Sequence, residues 1–177
     1  MSEEINIPND VKVAIDNDII TINGKCGENK KRLFGKNVKI ELRNDKIAVF
    51  SKKSSQREKK IIGSFKAHIK NLIKSAREGS TYSLKICSGH FPMNVSIEKD
   101  NLVIKNFLGE KIPRRLKLRK GVDVKIDGDT ITVTSCDKEN AGQTAASIEQ
   151  LTRRTNYDHR VFQDGIWITN KDGKEMK

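Results

Sequence analysis

The chain repeats itself, and nothing else in the sequence constrains its fold as strongly. Val13-Ala14-Ile15-Asp16-Asn17-Asp18-Ile19-Ile20-Thr21-Ile22 reads onto Val95-Ser96-Ile97-Glu98-Lys99-Asp100-Asn101-Leu102-Val103-Ile104 at a shift of 82, and the same register pairs Gly27-Glu28 with Gly109-Glu110. Val38-Lys39-Ile40-Glu41-Leu42 and Asp45-Lys46-Ile47-Ala48-Val49 match Val122-Asp123-Val124-Lys125-Ile126 and Asp129-Thr130-Ile131-Thr132-Val133 at a shift of 84. Gly63, Ala67, Ile69 and Leu72 match Gly142, Ala146, Ile148 and Leu151 at a shift of 79. The shift changes only in segments that read as loops, where insertions are tolerated. Three matches in sequential order indicate a tandem duplication, and 177 residues leave room for two small domains. The expected boundary follows Cys87. Residues 1–87 make the first repeat and 88–177 the second, joined through Ser88-Gly89.

Each unit reads as strands, one helix, then a strand. Val11, Val13 and Ile15 alternate with polar residues, Asp16-Asn17-Asp18 turns the chain, and Ile20 and Ile22 return it. Val38, Ile40 and Leu42, then Asn44-Asp45, then Ile47 and Val49 predict a second hairpin. In the second unit the equivalent turn holds Asp127-Gly128, where glycine accepts positive φ without steric cost. Ile62, Phe65, Ile69, Leu72, Ile73 and Ala76 share one face at 3.6-residue spacing and predict an amphipathic helix, with Ala141, Ala145, Ile148 and Leu151 as its counterpart. Tyr82, Leu84 and Ile86 are expected to close the first unit, and Ile166, Trp167 and Ile168 the second. The fold class is α+β: a duplicated small domain of antiparallel strands with one helix packed on the sheet.

Lys and Arg number 35 against 23 Asp and Glu, for a net charge of +12. Residues 1–88 hold nineteen cations and ten anions, and residues 89–177 hold sixteen and thirteen. The excess therefore decorates folded surface and is not a basic tail. An excess of that sign and size points to a polyanionic partner, which inside a cell is nucleic acid. No apolar run is long enough for a membrane span, and Met1-Ser2-Glu3-Glu4 has no signal-peptide character. Cys26, Cys87 and Cys136 form neither a disulfide framework nor a zinc motif, which fits reduced thiols in the cytoplasm.

Catalytic constellations are missing from the pattern. His68, His90 and His159 lack Cys or carboxylate partners at ligand spacing, and no phosphate loop exists. Asp127 and Asp129 flank a hairpin tip, where Asp is favoured for turn reasons. Cys136 has no His and no helix N-terminal signal near it in the sequence, and a buried or neutral thiol is expected. The reading is a binding protein, not an enzyme, with no cofactor, no metal and no small-molecule substrate.

Basic clusters carry the functional signal. Lys111, Arg114, Arg115, Lys117, Arg119 and Lys120 place six cations in ten residues with no acid among them. Ile112, Leu116 and Leu118 interleave and are expected to hold the segment while its arginines point outward. Arg153-Arg154 follow the second helix, with Arg160 further on. A second cluster, Lys52, Lys53, Arg57, Lys59 and Lys60, is diluted by Glu58 and stays open between phosphate binding and a solvated face. Arginine's planar fork holds a phosphate through two hydrogen bonds. Aromatics are only 5% of residues, and Phe34, Phe50, Phe65 and Trp167 read as core. The expected mode is recognition of the backbone and shape of structured RNA.

Ser88-Gly89-His90-Phe91-Pro92-Met93-Asn94-Val95 and Asn106-Phe107-Leu108-Gly109-Glu110-Lys111 resemble stretches of a large-subunit ribosomal protein family, called L-six in bacteria and archaea and L-nine in eukaryotes. Ala141-Gly142-Gln143-Thr144-Ala145-Ala146-Ser147-Ile148 is similar to its Gly/Ser-Gln-x-Ala-Ala-x-Ile helix, and Asp158-His159-Arg160-Val161-Phe162-Gln163-Asp164-Gly165-Ile166-Trp167 to the ending of its archaeal and eukaryotic members. The resemblance implies two homologous domains, a structural place in the large ribosomal subunit beside neighbouring ribosomal proteins, and rRNA binding near the sarcin–ricin loop and the factor-binding region. It gives the second domain the main rRNA contact, which favours Lys111, Arg114, Arg115, Arg153, Arg154, Arg160 and Lys171. The alternative is a free-standing structured-RNA-binding or RNA-chaperone module.

Overall fold

Period-2 apolar patterning and tight turns set the strands. The computed structural model describes residues 2–43, 46–53, 55–158 and 160–176. In chain order the strands are β1 (Ser2–Asn6), β2 (Lys12–Asp16), β3 (Ile19–Asn23), β4 (Glu28–Arg32), β5 (Val38–Arg43) and β6 (Lys46–Ser51), followed by helix α1 (Gln56–Glu78). Then come β7 (Ser80–Cys87), β8 (Asn94–Glu98), β9 (Asn101–Lys105), β10 (Arg114–Lys117), β11 (Val122–Asp127) and β12 (Thr130–Ser135). Helix α2 (Lys138–Leu151) and strands β13 (Gly165–Lys171) and β14 (Lys174–Glu175) end the chain. A short 3₁₀ turn, Phe107–Gly109, precedes β10.

The expected hairpins form. β2 pairs antiparallel with β3 around Asn17-Asp18, β8 with β9 around Lys99-Asp100, and β11 with β12 around Gly128-Asp129. Asn17, Lys99 and Gly128 each take positive φ, as tight hairpin turns demand. β5 pairs with β6, with Arg43 opposite Lys46. Asn44 and Asp45, the expected turn residues, lie outside the described residues.

Among the described residues, the first unit has two three-stranded sheets, in the orders β1-β6-β5 and β2-β3-β4. Ile20, Ile22, Ile47, Val49, Ile62 and Ile69 are almost fully buried in its core with the inner face of α1. Each such side chain contributes roughly 1.5–3 kcal/mol by leaving water. The second unit repeats the plan with β10-β9-β8 and β11-β12-β7-β13-β14. Leu84, Leu102, Ile104, Phe107, Ile131 and Ile148 fill its core. Among the described residues, β13 and β14 have no counterpart in the first unit.

The two contact units divide between Gly79 and Ser80, not after Cys87. Strand pairing is the reason. β7, expected to close the first unit, hydrogen-bonds to β12 on one side and β13 on the other. It occupies in the second unit the place that β1 holds in the first. Ile5 lies opposite Ile47 on β6, and Leu84 lies opposite Ile131 on β12, where Ile47 and Ile131 are matched positions of the repeat. The structural repeat therefore begins one strand earlier than its legible sequence match.

The start of α1 removes a charge from the surface. Ser55, Gln56, Arg57 and Glu58 have the spacing of a capping box. The Ser55 hydroxyl donates to the Glu58 carboxylate, and Asn37 Nδ2 donates to Glu58 Oε1 at 3.0 Å. These bonds, that from Ser55 foremost, hold the buried Glu58 carboxyl at about 2, well below its ordinary 4.5. A carboxyl more acidic in the folded chain stabilises the fold fully above its unfolded range, and that contribution is lost as pH falls from about 4.5 toward about 2. Glu58→Gln should therefore melt below the wild type at neutral pH, with the gap in Tm closing through this acid window. Thermal melts by circular dichroism check this, and a gap independent of pH would contradict it.

Candidate nucleic-acid interface

Alternation along β10 sorts the basic run into two sets. Arg114, Leu116 and Leu118 are half-buried, and both leucines pack on the second core. Arg115, Lys117 and Arg119 fall on the opposite parity and are exposed, as are Lys111 and Lys120. β9 fixes this register by pairing Arg115 with Val103 and Lys117 with Asn101. Leu118 extends it by donating its amide to the Asp100 carbonyl at 2.8 Å. None of Lys111, Arg115, Lys117, Arg119 and Lys120 takes part in an ion pair with the described residues. The result is a row of five outward cations on a rigid hairpin edge and the loops that flank it.

Arg114 is committed inside the protein, unlike its expected outward role. Its Nε and Nη2 donate to the two carboxylate oxygens of Glu110 at 2.8 and 2.7 Å. Nη1 donates to the carbonyl of Leu151, the last residue of α2, at 2.5 Å. The guanidinium also lies over the Phe107 ring, 4.4 Å from its centroid. The bidentate bond from Arg114 is the main reason the Glu110 carboxyl lies below its ordinary range, with burial opposing it. Arg154 Nη2 approaches the same carboxylate at 3.6 Å, and its guanidinium lies over Tyr157. Glu110 thus gathers two of the predicted arginines and ties β10, the 3₁₀ turn and the end of α2 together.

A second anchor lies in the segment after α2. Asp164, buried, accepts the amides of Gly89 at 2.6 Å and His90 at 3.0 Å on Oδ1, and its Oδ2 lies 2.5 Å from His90 Nδ1. Burial pushes this carboxyl up, but the bonds from His90 and Gly89 outweigh it and leave it below its ordinary range. The His90 ring stacks on Phe162 at 4.7 Å, and Tyr157 meets Phe162 edge-on at 5.1 Å. His90 therefore has a carboxylate partner that its sequence neighbourhood did not reveal. Among the described residues, no group of three or more His, Cys, Asp or Glu is placed to hold a metal ion. His159 lies outside the described residues.

The remaining predicted cations are scattered. Arg160 is 90% exposed at its side chain and bonds bidentately to Asp158 at 3.2 and 3.0 Å. Lys171 is exposed on β13 beside its hairpin partner Lys174. Arg153 is exposed and lines a cleft with Cys87, Glu149, Gln150, Gln163 and Trp167. Trp167, expected in the core, is 40% exposed, because β13 turns Ile166 inward and the indole outward. Phe34, also read as core, is 66% exposed, whereas Phe65 is buried as expected.

In the first unit Lys52, Lys53, Arg57, Lys59 and Lys60 are all exposed, and Glu58 no longer dilutes them because it is bound at the start of α1. Lys36 and Lys39 join Lys52 and Lys53 around a cleft walled by Phe50. Those two lysines stand more than ten residues away in sequence, so no run betrayed them.

Comparison with known proteins places this arrangement among relatives. The family described as ribosomal protein L6 matches residues 7–79 and 91–165. The large ribosomal subunit protein uL6 of Haloarcula marismortui is 42% identical over 171 residues, covering 97% of this chain and 96% of that protein. The uL6 proteins of Methanococcus vannielii and Methanobrevibacter smithii are 40% and 41% identical, over 98% and 96% of this chain and 96% of each relative.

Arg114→Ala should act on stability. It strips Glu110 of its bidentate partner and Leu151 of a hydrogen bond, a loss on the order of 2 kcal/mol for the second unit. Arg115→Ala, one residue along but outward, should stay within about 0.5 kcal/mol of wild type. Urea unfolding of the two variants distinguishes them, and equal midpoints would show that the inward cluster contributes nothing.

Proposed function

The chain belongs to the ribosomal protein L6 family, and from that membership we propose that it is a structural constituent of the large ribosomal subunit, binding large-subunit rRNA near the sarcin–ricin loop and the factor-binding region. The observation that carries the RNA-facing assignment is the outward row Lys111, Arg115, Lys117, Arg119 and Lys120, single-signed and without ion pairs among the described residues. Cations held this way neutralise phosphates and release condensed counterions. Because β10 is registered on β9 and its inner face is packed, the row keeps a fixed spacing, so the phosphate path of a folded RNA is read as shape. Arg153 and Lys171 extend the surface, and Arg160 contributes by exchanging Asp158 for phosphate.

Arg114 and Arg154 enter this proposal as positioning residues. Their charge is spent largely on Glu110, and what they supply is the placement of β10 against the end of α2. No step of bond making or breaking belongs to the role. The protein works in the cytoplasmic ribosome by occupying a place among rRNA and neighbouring ribosomal proteins.

Two measurements test the reading. Arg115→Ala combined with Lys117→Ala should weaken binding to a large-subunit rRNA fragment and flatten its dependence on the logarithm of salt concentration by about one unit per lost phosphate contact. An unchanged slope would remove β10 from the interface. In cell extracts the protein should sediment with large subunits through a high-salt wash. A soluble peak instead would favour a free-standing RNA-binding module.

A further inference from the structure

We propose that the cleft beside the end of α2 seats an unstacked nucleobase of the bound RNA, against the indole of Trp167. The inference rests on the RNA-binding reading above and goes beyond it, since backbone and shape recognition alone need no base pocket. The cleft has a volume of about 680 Å³, within the size range of sites that enclose a small molecule. Cys87, Glu149, Gln150, Arg153, Gln163 and Trp167 line it, all from the second unit.

Trp167 supplies the wall. An indole left 40% exposed forgoes burial that the neighbouring Ile166 obtains completely. It is nevertheless held in place. Its Nε1 donates to the Gln163 carbonyl at 3.1 Å. Beneath it Gly165 has φ of +158°, and a Cβ at that residue would lie 3.3 Å from the indole ring. A ring fixed before binding spares most of the ordering cost that a mobile platform would carry. The π-face of any base stacks on such a ring.

The rest of the lining suits a nucleotide. Gln150 and Gln163 each carry a donor and an acceptor on one amide, the pair needed at the edge of an unpaired base. Arg153 is exposed at the same cleft and suits the attached phosphate. Glu149, the one acid among the described lining residues, accepts the backbone amide of Ile168 on Oε1 at 3.2 Å, which engages its charge with the protein. Among the described residues no lysine lines the cleft, in keeping with a base seat distinct from the phosphate-binding row.

Trp167 is the sole tryptophan of the chain, so its emission reports the surroundings of this one indole. Titration of the full chain with a large-subunit rRNA fragment should quench that emission in step with binding followed by RNA anisotropy. Nucleoside 5′-monophosphates at millimolar concentration should quench it more weakly. Emission unchanged at full RNA occupancy would overturn the proposal. Trp167→Ala should weaken fragment binding roughly 5- to 150-fold, while Trp167→Phe should keep most of the affinity and neither should alter the salt slope. Wild-type affinity in a folded Trp167→Ala protein would also overturn it. RNA bound without quenching defeats the base seat alone, whereas no binding of the fragment at all defeats the RNA reading beneath it.

Discussion

The bond from Arg114 to Glu110 and the Leu151 carbonyl is the contact on which the candidate surface depends. A β-strand of four residues has little stability of its own, and β10 is an edge strand of its sheet. Pairing with β9 sets its register, but pairing on one side leaves the strand free to tilt. Arg114 closes that freedom by reaching from the strand to an acid on the preceding turn and to the end of α2. A helix C-terminus carries unpaired carbonyls and partial negative charge, so a guanidinium is well suited to meet it. Lysine in its place would offer one point charge and no fork.

Much of the fold was legible because duplication doubled the signal. Each hairpin could be recognised twice, once from its own alternation and once from its partner. The first strand of the repeat was not legible. Ser2-Glu3-Glu4-Ile5-Asn6 and the corresponding part of β7 share pairing geometry but almost no residues, since an edge strand of the first unit became an interior strand of the second once β13 joined it. That divergence moved the apparent boundary to Cys87. His90 and Asp164 stand 74 residues apart, and only tertiary structure brings them together. Arg114 is a different case, because its parity with Leu116 and Leu118 already placed it on the inner face and Glu110 stood four residues before it. The number of like charges in the run concealed what their alternation stated.

Trp167 was misread for a related reason. In a chain with few aromatics, an aromatic between two isoleucines on a strand suggests core. Period 2 says otherwise: with Ile166 inward, its neighbour must face out. Composition and periodicity disagreed at this residue, and periodicity described the geometry.

Four acids are each engaged by donors within the fold. Glu58 is bound at the start of α1, Glu110 between two arginines, Glu149 on a β13 amide and Asp164 on the loop that carries His90. Each serves an internal donor. Hydrogen-bonded carboxylates of this kind stabilise local structure, while Lys111, Arg115, Lys117, Arg119 and Lys120 have no ion pair among the described residues. A polyanion approaching these five cations does not have to displace an ion-paired carboxylate to reach them. The hydrogen bonds that set the turn before β10 therefore also engage Glu110, the acid next in sequence to the basic run.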